Sequence, residues 1–145
     1  MRIAEILHGK GSHVAKVGAF ERVEAAVALL AQERIGALVV VDRYGRLVGM
    51  FTERDLIYGI ARLGGAAALA GEVSELMTPE VTTCAPRDRV DAVMSVMTAH
   101  RIRHLPVMEE GRLVGLVSIG DLVKSKLVEK EQEANVLRDI TLAHG

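Results

Sequence analysis

Two pairs of polar residues share one spacing: Thr52 lies three positions before Asp55, and Ser118 lies three positions before Asp121. Where a helix begins, this spacing forms a capping box, in which the hydroxyl accepts backbone N–H groups and the acid favours the positive end of the helix. A helix N-terminus that follows a strand is also a place where anions bind. Because capping and binding are compatible, each pair is a candidate helix cap and a candidate contact to an anionic ligand.

A basic cluster, His-Arg-Ile-Arg-His, occupies residues 100–104. Its first two residues fall at a predicted helix C-terminus, where cations are favourable for structural reasons alone. Arg103 and His104 instead begin a predicted strand, whose side chains alternate between two faces. If Leu105 and Val107 face the helices, His104 faces a cleft and could meet an anion there. The alternative is a strand edge that is exposed to solvent.

Both polar pairs lie within a stretch that the chain contains twice. Residues 45–56 and 111–122 share Gly-Arg-Leu-Val-Gly, two apolar residues, Thr or Ser, two further residues and Asp-Leu. The similarity continues upstream, so that two units of roughly 65 to 70 residues account for nearly the whole chain. Residues 7–14 form a segment three residues longer than the matching segment 77–81, and we expect a loop to absorb the difference.

Hydrophobic periodicity predicts the order β-α-β-β-α in each unit, and therefore an α/β fold. The first unit has predicted strands at 14–17, 37–41 and 46–51, with a turn at 42–45 and helices at 21–34 and from 52 to about 62. The second unit has predicted strands at 81–83, 104–108 and 112–117 and helices at 89–100 and 119–130. Outside the units we expect a short helix at 2–7, a Gly-rich loop at 8–12, a flexible joint at 63–68, and an extension helix or partly ordered tail at 129–144.

Half of the 145 residues are hydrophobic, which is enough for a core. Two units of this size are too small to bury their apolar faces separately, so we expect them to pack on each other. The residues expected to be buried are Ala26, Leu30, Leu38, Val40, Val93, Met97, Leu105 and Val107.

Charge, cysteine content and the motifs that the sequence lacks argue against several classes of function. A net charge of −1 gives no reason to expect nucleic acid or an anionic membrane as the main partner. The single cysteine, Cys84, cannot form an intramolecular disulfide and favours a reducing compartment. The chain starts without the apolar core of a signal peptide, and no run approaches the length of a membrane span, so we expect a soluble cytoplasmic protein. No Cys/His cluster, P-loop or nucleophile motif suggests a metal site or an enzyme.

The unit order, the Leu-Pro-Val strand at 105–107 and the Gly, two apolar, Ser/Thr, x, x, Asp signature together resemble a CBS domain. Two copies in tandem resemble a CBS pair, or Bateman module, over residues 1–127. The resemblance implies domains at 1–65 and 66–128, related by pseudo-two-fold symmetry, and a C-terminal extension at 129–145. It also implies a cleft between the two sheets that binds adenine nucleotides. With no room for a second functional domain, the chain looks like a stand-alone CBS-pair protein.

The resemblance assigns roles to the polar residues described above. At the matching positions the aspartates, Asp121 and Asp55, would accept hydrogen bonds from both hydroxyls of a ribose. The hydroxyl residues that precede them, Ser118 and Thr52, would donate to a phosphate. The residues before the apolar strand of a CBS domain commonly meet ligand phosphates, which implies this role for Arg103 and His104. We group these two cations with Asp121 in one site and expect Asp121 to matter more for binding than Asp55.

The first unit departs from this pattern. Gly36 and Ala37 stand where the second unit has Arg103 and His104. The first unit therefore supplies no phosphate-binding cation of its own, and its site is weaker, empty, or completed from elsewhere. Arg54 and Lys16 are weak candidates for such completion.

Two functions fit these features. The leading hypothesis is a regulatory module that binds an adenine nucleotide (AMP, ADP, ATP, NAD or an adenosyl cofactor) and passes a change of shape to a downstream partner that the sequence does not identify. It would require no other cofactor. The alternative is a constitutive dimerisation scaffold whose clefts are empty or vestigial. An enzyme is the weakest hypothesis. Because the family forms flat dimeric discs, we also expect a homodimer.

Overall fold

The chain alternates helices with the strands of two short sheets. The computed structural model describes residues 1–11 and 13–144. In chain order the described elements are α1 (Ile3–Lys10), β1 (Lys16–Gly18), α2 (Val23–Glu33), β2 (Ala37–Val41), β3 (Leu47–Thr52), α3 (Glu53–Leu63), α4 (Gly65–Ala70), α5 (Val73–Leu76), α6 (Val90–His100), β4 (His104–Glu109), β5 (Arg112–Ser118) and α7 (Ile119–His144). The predicted mixed α/β class is confirmed.

The first sheet has the strand order β1-β2-β3. Strand β1 is parallel to β2, and β2 pairs antiparallel with β3 from Ala37 opposite Thr52. The turn between β2 and β3 is held by Asp42, whose Oδ1 accepts the backbone N–H of Tyr44 at 2.9 Å and of Arg46 at 3.0 Å. Because side chains on both faces of β2 are buried, its run of valines is continuous and not alternating.

The second sheet contains only β4 and β5 among the described residues, and the strand predicted at 81–83 is wrong. Cys84 alone bridges the sheet: its N–H donates to the carbonyl of Pro106 at 3.0 Å, and its carbonyl accepts from Met108 at 2.8 Å. In the first unit the pairing extends upstream because the N–H of Val39 donates to the carbonyl of Ala15 at 3.1 Å. Pro106 occupies the position equivalent to Val39 and has no N–H to donate, so residues 81–83 cannot pair in the same way.

The two units exchange their first helices. Ile3 of α1 is buried in the core that Val93, Met97, Leu105 and Val117 form in the second unit. Backbone hydrogen bonds hold α1 there, since Ile3 donates to the carbonyl of Asp88 at 2.9 Å. The division of the sequence into 1–65, 66–128 and 129–145 stays a prediction. Helix α1 belongs to the first of these segments in sequence and packs on the second.

The opposite exchange places α4 and α5 on the first unit. Val73 of α5 is buried in the core built around Val23, Leu38 and Phe51, and its N–H donates to the carbonyl of Glu21 at 2.8 Å. The joint predicted to be flexible at 63–68 is instead largely the helix α4, in which Ala68 is buried. Alanine has the highest helix propensity, which explains why this small-residue run is helical.

All eight residues predicted to be core are buried. The predicted tail at 129–144 is helical and continues α7, a single helix of 26 residues. Every described side chain from 131 to 142 is exposed. Of the Gly-rich loop predicted at 8–12, residues 8–10 are instead the last turn of α1, and residue 12 lies outside the described residues.

Candidate functional site

The two units meet through a layer of apolar side chains between their sheets. Ala37, Val39 and Met50 of the first sheet are buried there, packed against Leu113 and Leu116 of β5. The faces that carry Leu38 and Leu105 are covered by helices in two separate cores. This arrangement leaves the strand ends and the following helix starts of the two units facing each other, and two cavities lie there.

The first cavity, which we call the Asp121 cavity, has a volume of about 510 Å³. It is lined by Lys10, His13, Ala15, Glu33, Arg34, Ile35, Gly36, Ala37, His104, Leu116, Ser118 and Asp121. The second, the Asp55 cavity, has a volume of about 680 Å³. It is lined by Gly36, Met50, Thr52, Glu53, Arg54, Asp55, Ile57, Tyr58, Thr78, Glu80, Val81, Thr82, Arg101, Ile102, Arg103 and His104.

Each cavity is built from both units. The Asp121 cavity combines the helix cap of the second unit with residues 35–37 of the first. The Asp55 cavity combines the helix cap of the first unit with residues 101–104 of the second. His104 lines both cavities, and the prediction that it faces a cleft while Leu105 and Val107 face the core is confirmed.

This crossed construction changes how the cations are distributed. Arg103 lies in the Asp55 cavity and not with Asp121, so the prediction that these two residues share a site is wrong. The cavity at the first unit's cap therefore contains Arg101 and Arg103 of the second unit. Arg54 also lines the Asp55 cavity, as proposed for such completion, whereas Lys16 lines neither cavity.

The cap at Asp55 is a complete capping box. The Oδ2 atom of Asp55 accepts the backbone N–H of Thr52 at 2.9 Å and its hydroxyl at 3.1 Å, and the Thr52 Oγ1 accepts the Asp55 N–H at 3.3 Å. The other carboxylate oxygen, Oδ1, accepts the hydroxyl of Thr78 at 2.9 Å. The structural role predicted for this pair is confirmed, and the carboxylate is held toward the cavity.

The cap at Asp121 has the same form and a different outer partner. The Oδ2 atom of Asp121 accepts the N–H of Ser118 at 2.9 Å, and the Ser118 Oγ accepts the N–H of Asp121 at 3.1 Å. Here the Nζ of Lys10 also donates to Oδ2 at 2.6 Å, and it donates to the carbonyl of Leu116 at 2.8 Å. No described residue donates to the Oδ1 atom of Asp121, which leaves this oxygen for other donors.

The surroundings shift the pKa values of two groups at the centre of the site. Burial acts to raise the pKa of Asp121, but hydrogen bonds from Lys10 and Ser118 outweigh it and hold the pKa below its ordinary value. Burial also lowers the pKa of His104; Lys10 adds to this effect, and the carboxylates of Asp121 and Glu53 oppose it. The imidazole of His104 is therefore neutral near pH 7, so its charge depends on an anion being close by.

Two arginines end helices at equivalent places in the cavities. Arg34 follows α2 with φ of 54°, and Arg101 follows α6 with φ of 55°, both in the left-handed region. Arg34 lines the Asp121 cavity and Arg101 the Asp55 cavity. The sequence interpretation treated Arg101 as a helix-end cation alone and did not single out Arg34, because nothing in the residue order signals a left-handed turn at an arginine.

Lys10 and Thr78 are the other residues that sequence reasoning missed. The only signal for Lys10 was the three extra residues in the segment 7–14. Over residues 1–11 and 13–144, no group of three or more His, Cys, Asp or Glu side chains is placed to hold a metal ion. None of the described helices combines the length and apolarity needed to cross a bilayer.

The two repeated units each match one known protein family. The CBS domain family matches residues 11–62 and 73–127. The chain is 31% identical over 130 residues to the CBS domain-containing protein YhcV of Bacillus subtilis, with 90% of each protein covered. It is 38% identical over 112 residues to the mitochondrial CBS domain-containing protein CBSX3 of Arabidopsis thaliana, of which it spans 54% of the length.

Solved structures show the same arrangement of the two units. A CBS-domain containing protein from Agrobacterium tumefaciens is 42% identical, with a TM-score of 0.83 over 86% of this chain and 92% of that one. A CBS domain protein from Pyrobaculum aerophilum, solved in complex with AMP, is 27% identical, with a TM-score of 0.73 over 83% of this chain and 89% of that one. Another CBS domain pair, solved with 5′-methylthioadenosine and S-adenosyl-L-methionine, is 26% identical. Its TM-score is 0.75, and the match covers 86% of this chain and 98% of that one.

Proposed function

The chain belongs to the CBS-domain family as a tandem pair, and from this we propose that it is a regulatory module that binds an adenine nucleotide between its two domains. The observation that carries the proposal is the crossed construction of the cavities. Each cavity places the cap carboxylate of one domain opposite the strand start of the other, around a partly apolar space. Their volumes lie within the range of small-molecule sites.

The ligand class is supported by two relatives of the same architecture. The Pyrobaculum protein was solved with AMP, and the other pair with two adenosine derivatives. We propose that Asp121 and Asp55 accept the ribose hydroxyls of such a ligand, each in its own cavity. We propose Ser118 and Thr52 as further polar contacts that donate to the phosphate, for which the Thr52 hydroxyl turns from Asp55 to the ligand.

The phosphate contacts differ between the cavities. In the Asp55 cavity we assign the phosphate to Arg103 and His104, which face the first domain's cap across the cleft. In the Asp121 cavity, His104 is joined by Arg34, because Gly36 and Ala37 stand where the other cavity has cationic side chains. AMP, ADP, ATP and NAD all carry the required ribose and phosphate.

A thermal-shift panel tests the proposal. The protein is titrated separately with AMP, ADP, ATP, NAD and S-adenosyl-L-methionine. A ligand that binds only the folded state adds about 2.7 kcal/mol of stability when its concentration is about 100 times its dissociation constant. We expect a rise in melting temperature with at least one of the five and none with inorganic phosphate at the same ionic strength. If none of the five ligands raises the melting temperature, the proposed binding of an adenine nucleotide is wrong.

One observation favours the alternative, a scaffold with unoccupied clefts. Both cap carboxylates already have internal partners, Thr78 on Asp55 and Lys10 on Asp121, so neither needs a ligand to be satisfied. In this case the fold and self-association would persist while every nucleotide left the melting temperature unchanged. The panel therefore separates the two functions directly. In neither case do we propose a catalytic step.

We propose that the protein is a homodimer. The helices that follow the last strand of each domain carry large exposed apolar side chains that line neither cavity: Ile60 and Leu63 on α3, and Val123, Leu127 and Val128 on α7. Covering such side chains with a second copy removes apolar area from water. Sedimentation at micromolar concentration tests this, and a monomeric mass would contradict it.

The cytoplasm is the compartment that we propose. The support is Cys84, the one cysteine of the chain, which is buried and whose thiol pKa burial raises to about 12. A protonated, buried thiol is a packed side chain and not a disulfide partner.

A further inference from the structure

The first helix is one turn longer than its counterpart in the repeat. Leu7 and Met77 occupy equivalent positions, because each packs where a side chain on Gly115 or Gly49 would otherwise lie. Helix α5 ends at Leu76, just before Met77, whereas α1 continues for three residues beyond Leu7, to Lys10. The three residues expected to lengthen a loop therefore extend a helix.

The additional turn brings Lys10 to the Asp121 cavity. Its Nζ lies 2.6 Å from the Oδ2 of Asp121 and 2.8 Å from the carbonyl oxygen of Leu116. The Lys10 side chain is 36% exposed and that of Asp121 is 25% exposed. The Lys10 side chain is thus partly accessible from solvent while its ammonium group bonds to the carboxylate that we assign to the ribose.

Among the described residues, no cation bonds to the carboxylate of the Asp55 cavity. There the outer partner of Asp55 is the neutral hydroxyl of Thr78. Glu80, which follows α5 as Lys10 ends α1, adds a negative charge to the lining. The two cavities therefore differ in charge at the place where a ligand meets the cap.

We propose that Lys10 makes the Asp121 cavity selective for nucleotides over uncharged nucleosides, by acting as an internal counter-ion of Asp121 that only an anionic group on the ligand can replace. The inference rests on the proposed function and specifies how one of its two cavities chooses a ligand.

The selectivity follows from what happens to the two charges. A ribose that donates both of its hydroxyls to Asp121 needs Oδ2 as well as the free Oδ1, so an uncharged nucleoside displaces Lys10 from Oδ2 and offers its ammonium nothing in return. A nucleotide presents a phosphate, to which Lys10 can donate charge-assisted hydrogen bonds in place of those it gives up. Because the Lys10 side chain is partly exposed, it can move between these partners without being transferred from a buried position.

The test needs a separate signal from each cavity, and the repeat provides one. Met50 lines the Asp55 cavity, and Leu116 is its counterpart in the Asp121 cavity. The substitution Leu116→Met conserves volume and gives the second cavity a methionine methyl of its own. Titrations of methyl-labelled protein with AMP and with adenosine, followed by NMR, then report on both cavities at once, with Met50→Leu used to assign the signals.

On this background we compare Lys10→Met with Lys10→Arg and with Lys16→Met, a change of an exposed lysine that lines neither cavity. We expect Lys10→Met to weaken AMP binding at the introduced methionine by about tenfold or more, the range for losing hydrogen bonds to a charged group. Adenosine binding there should be unchanged or tighter. The Met50 signal should respond to both ligands as before, Lys16→Met should change nothing, and Lys10→Arg should keep the preference for AMP.

Two results would overturn the inference while the proposed function stands. One is that Lys10→Met leaves AMP binding at the introduced methionine unchanged; the other is that it weakens AMP and adenosine by the same factor. If neither methyl signal of the Leu116→Met protein moves with AMP, ADP, ATP, NAD or S-adenosyl-L-methionine, the nucleotide function itself fails. An unchanged response of the Met50 signal in the Lys10 variants confirms that loss of folding is not the cause of any difference.

Discussion

The Nζ of Lys10 lies 2.6 Å from the Oδ2 of Asp121, although 111 positions separate the two residues. This contact exists because α1 packs on the second domain and not on the domain that follows it in the chain. It places a cation on the cap carboxylate of one cavity, while the other cavity has the hydroxyl of Thr78 in the corresponding role. The repeat therefore yields two sites of related shape and different chemistry.

Arg103 should serve the cavity of the opposite domain's cap. Because it lines the Asp55 cavity and not the Asp121 cavity, we expect Arg103→Ala to weaken AMP binding at Met50 by about tenfold or more. Binding at a methionine introduced by Leu116→Met should change little. The matched control is Arg112→Ala, which removes an exposed arginine at the start of β5 that lines neither cavity. A loss at both signals would show that Arg103 acts through the fold and not through contact.

AMP binding should strengthen as the pH falls from about 8 to about 6, through His104. Its pKa is below the ordinary value without ligand, chiefly because of burial, so the imidazole is neutral at the upper end of this range. A phosphate beside it favours the charged form, and binding is then coupled to proton uptake.

Titration calorimetry at several pH values measures this coupling. His104→Ala should flatten the pH dependence of AMP binding and leave adenosine affinity nearly unchanged, while Arg103→Ala should cost AMP affinity throughout the range because guanidinium stays charged. Protonation of the phosphate near pH 6 limits the trend at its lower end. An AMP profile that His104→Ala leaves as in the parent protein would remove His104 from the phosphate contacts.

Asp121 should contribute to stability at neutral pH and lose that contribution in acid. Its pKa is lower in the folded protein than its ordinary value, so the stabilisation is complete above the unfolded value of about 3.9 and disappears as the pH falls through the folded value. Urea unfolding of the parent protein and of Asp121→Asn should differ at pH 7, and the difference should shrink progressively as the pH falls below about 4. The partial exposure of the pair predicts a modest difference, and a gap that persists at low pH would contradict the assignment.

The close approach of Leu7 to Gly115 should be visible in a double-mutant cycle. A Cβ on Gly115 would lie 2.5 Å from a Leu7 methyl carbon, so we expect Gly115→Ala to lower the free energy of unfolding by about 1–3 kcal/mol. Leu7→Ala makes room for that Cβ, and the two changes together should cost less than the sum of their separate effects. Gly65→Ala, where a Cβ would meet nothing within 4 Å, is the control. Strict additivity would mean that the two residues do not meet in solution.

Much of the fold could be read from local patterns. The repeated stretch predicted two units of strands and helices. The alternation of side chains along β4 predicted that His104 lies on the face of the strand toward the cleft. The spacing of Thr52 and Asp55 predicted a capping box, because a cap is made between residues three apart on one helix turn. Where the sequence reasoning failed, residue types explain the failure: Pro106 has no N–H to donate to the strand expected at 81–83, and alanine-rich residues form α4 where a flexible joint was expected.

The composition of each cavity was decided by tertiary structure. The sequence grouped Arg103 with Asp121 because both belong to the second repeat, whereas the facing sheets bring Arg103 to Asp55 and bring Lys10 to Asp121. Hydrophobic periodicity determines which face of a strand or helix is buried, and it does so identically in both repeats. It contains no information on which buried face meets which, because that choice depends on how two finished surfaces pack. The chain alone therefore determined the caps and the cores, and the packing of one domain on the other decided which cations each carboxylate meets.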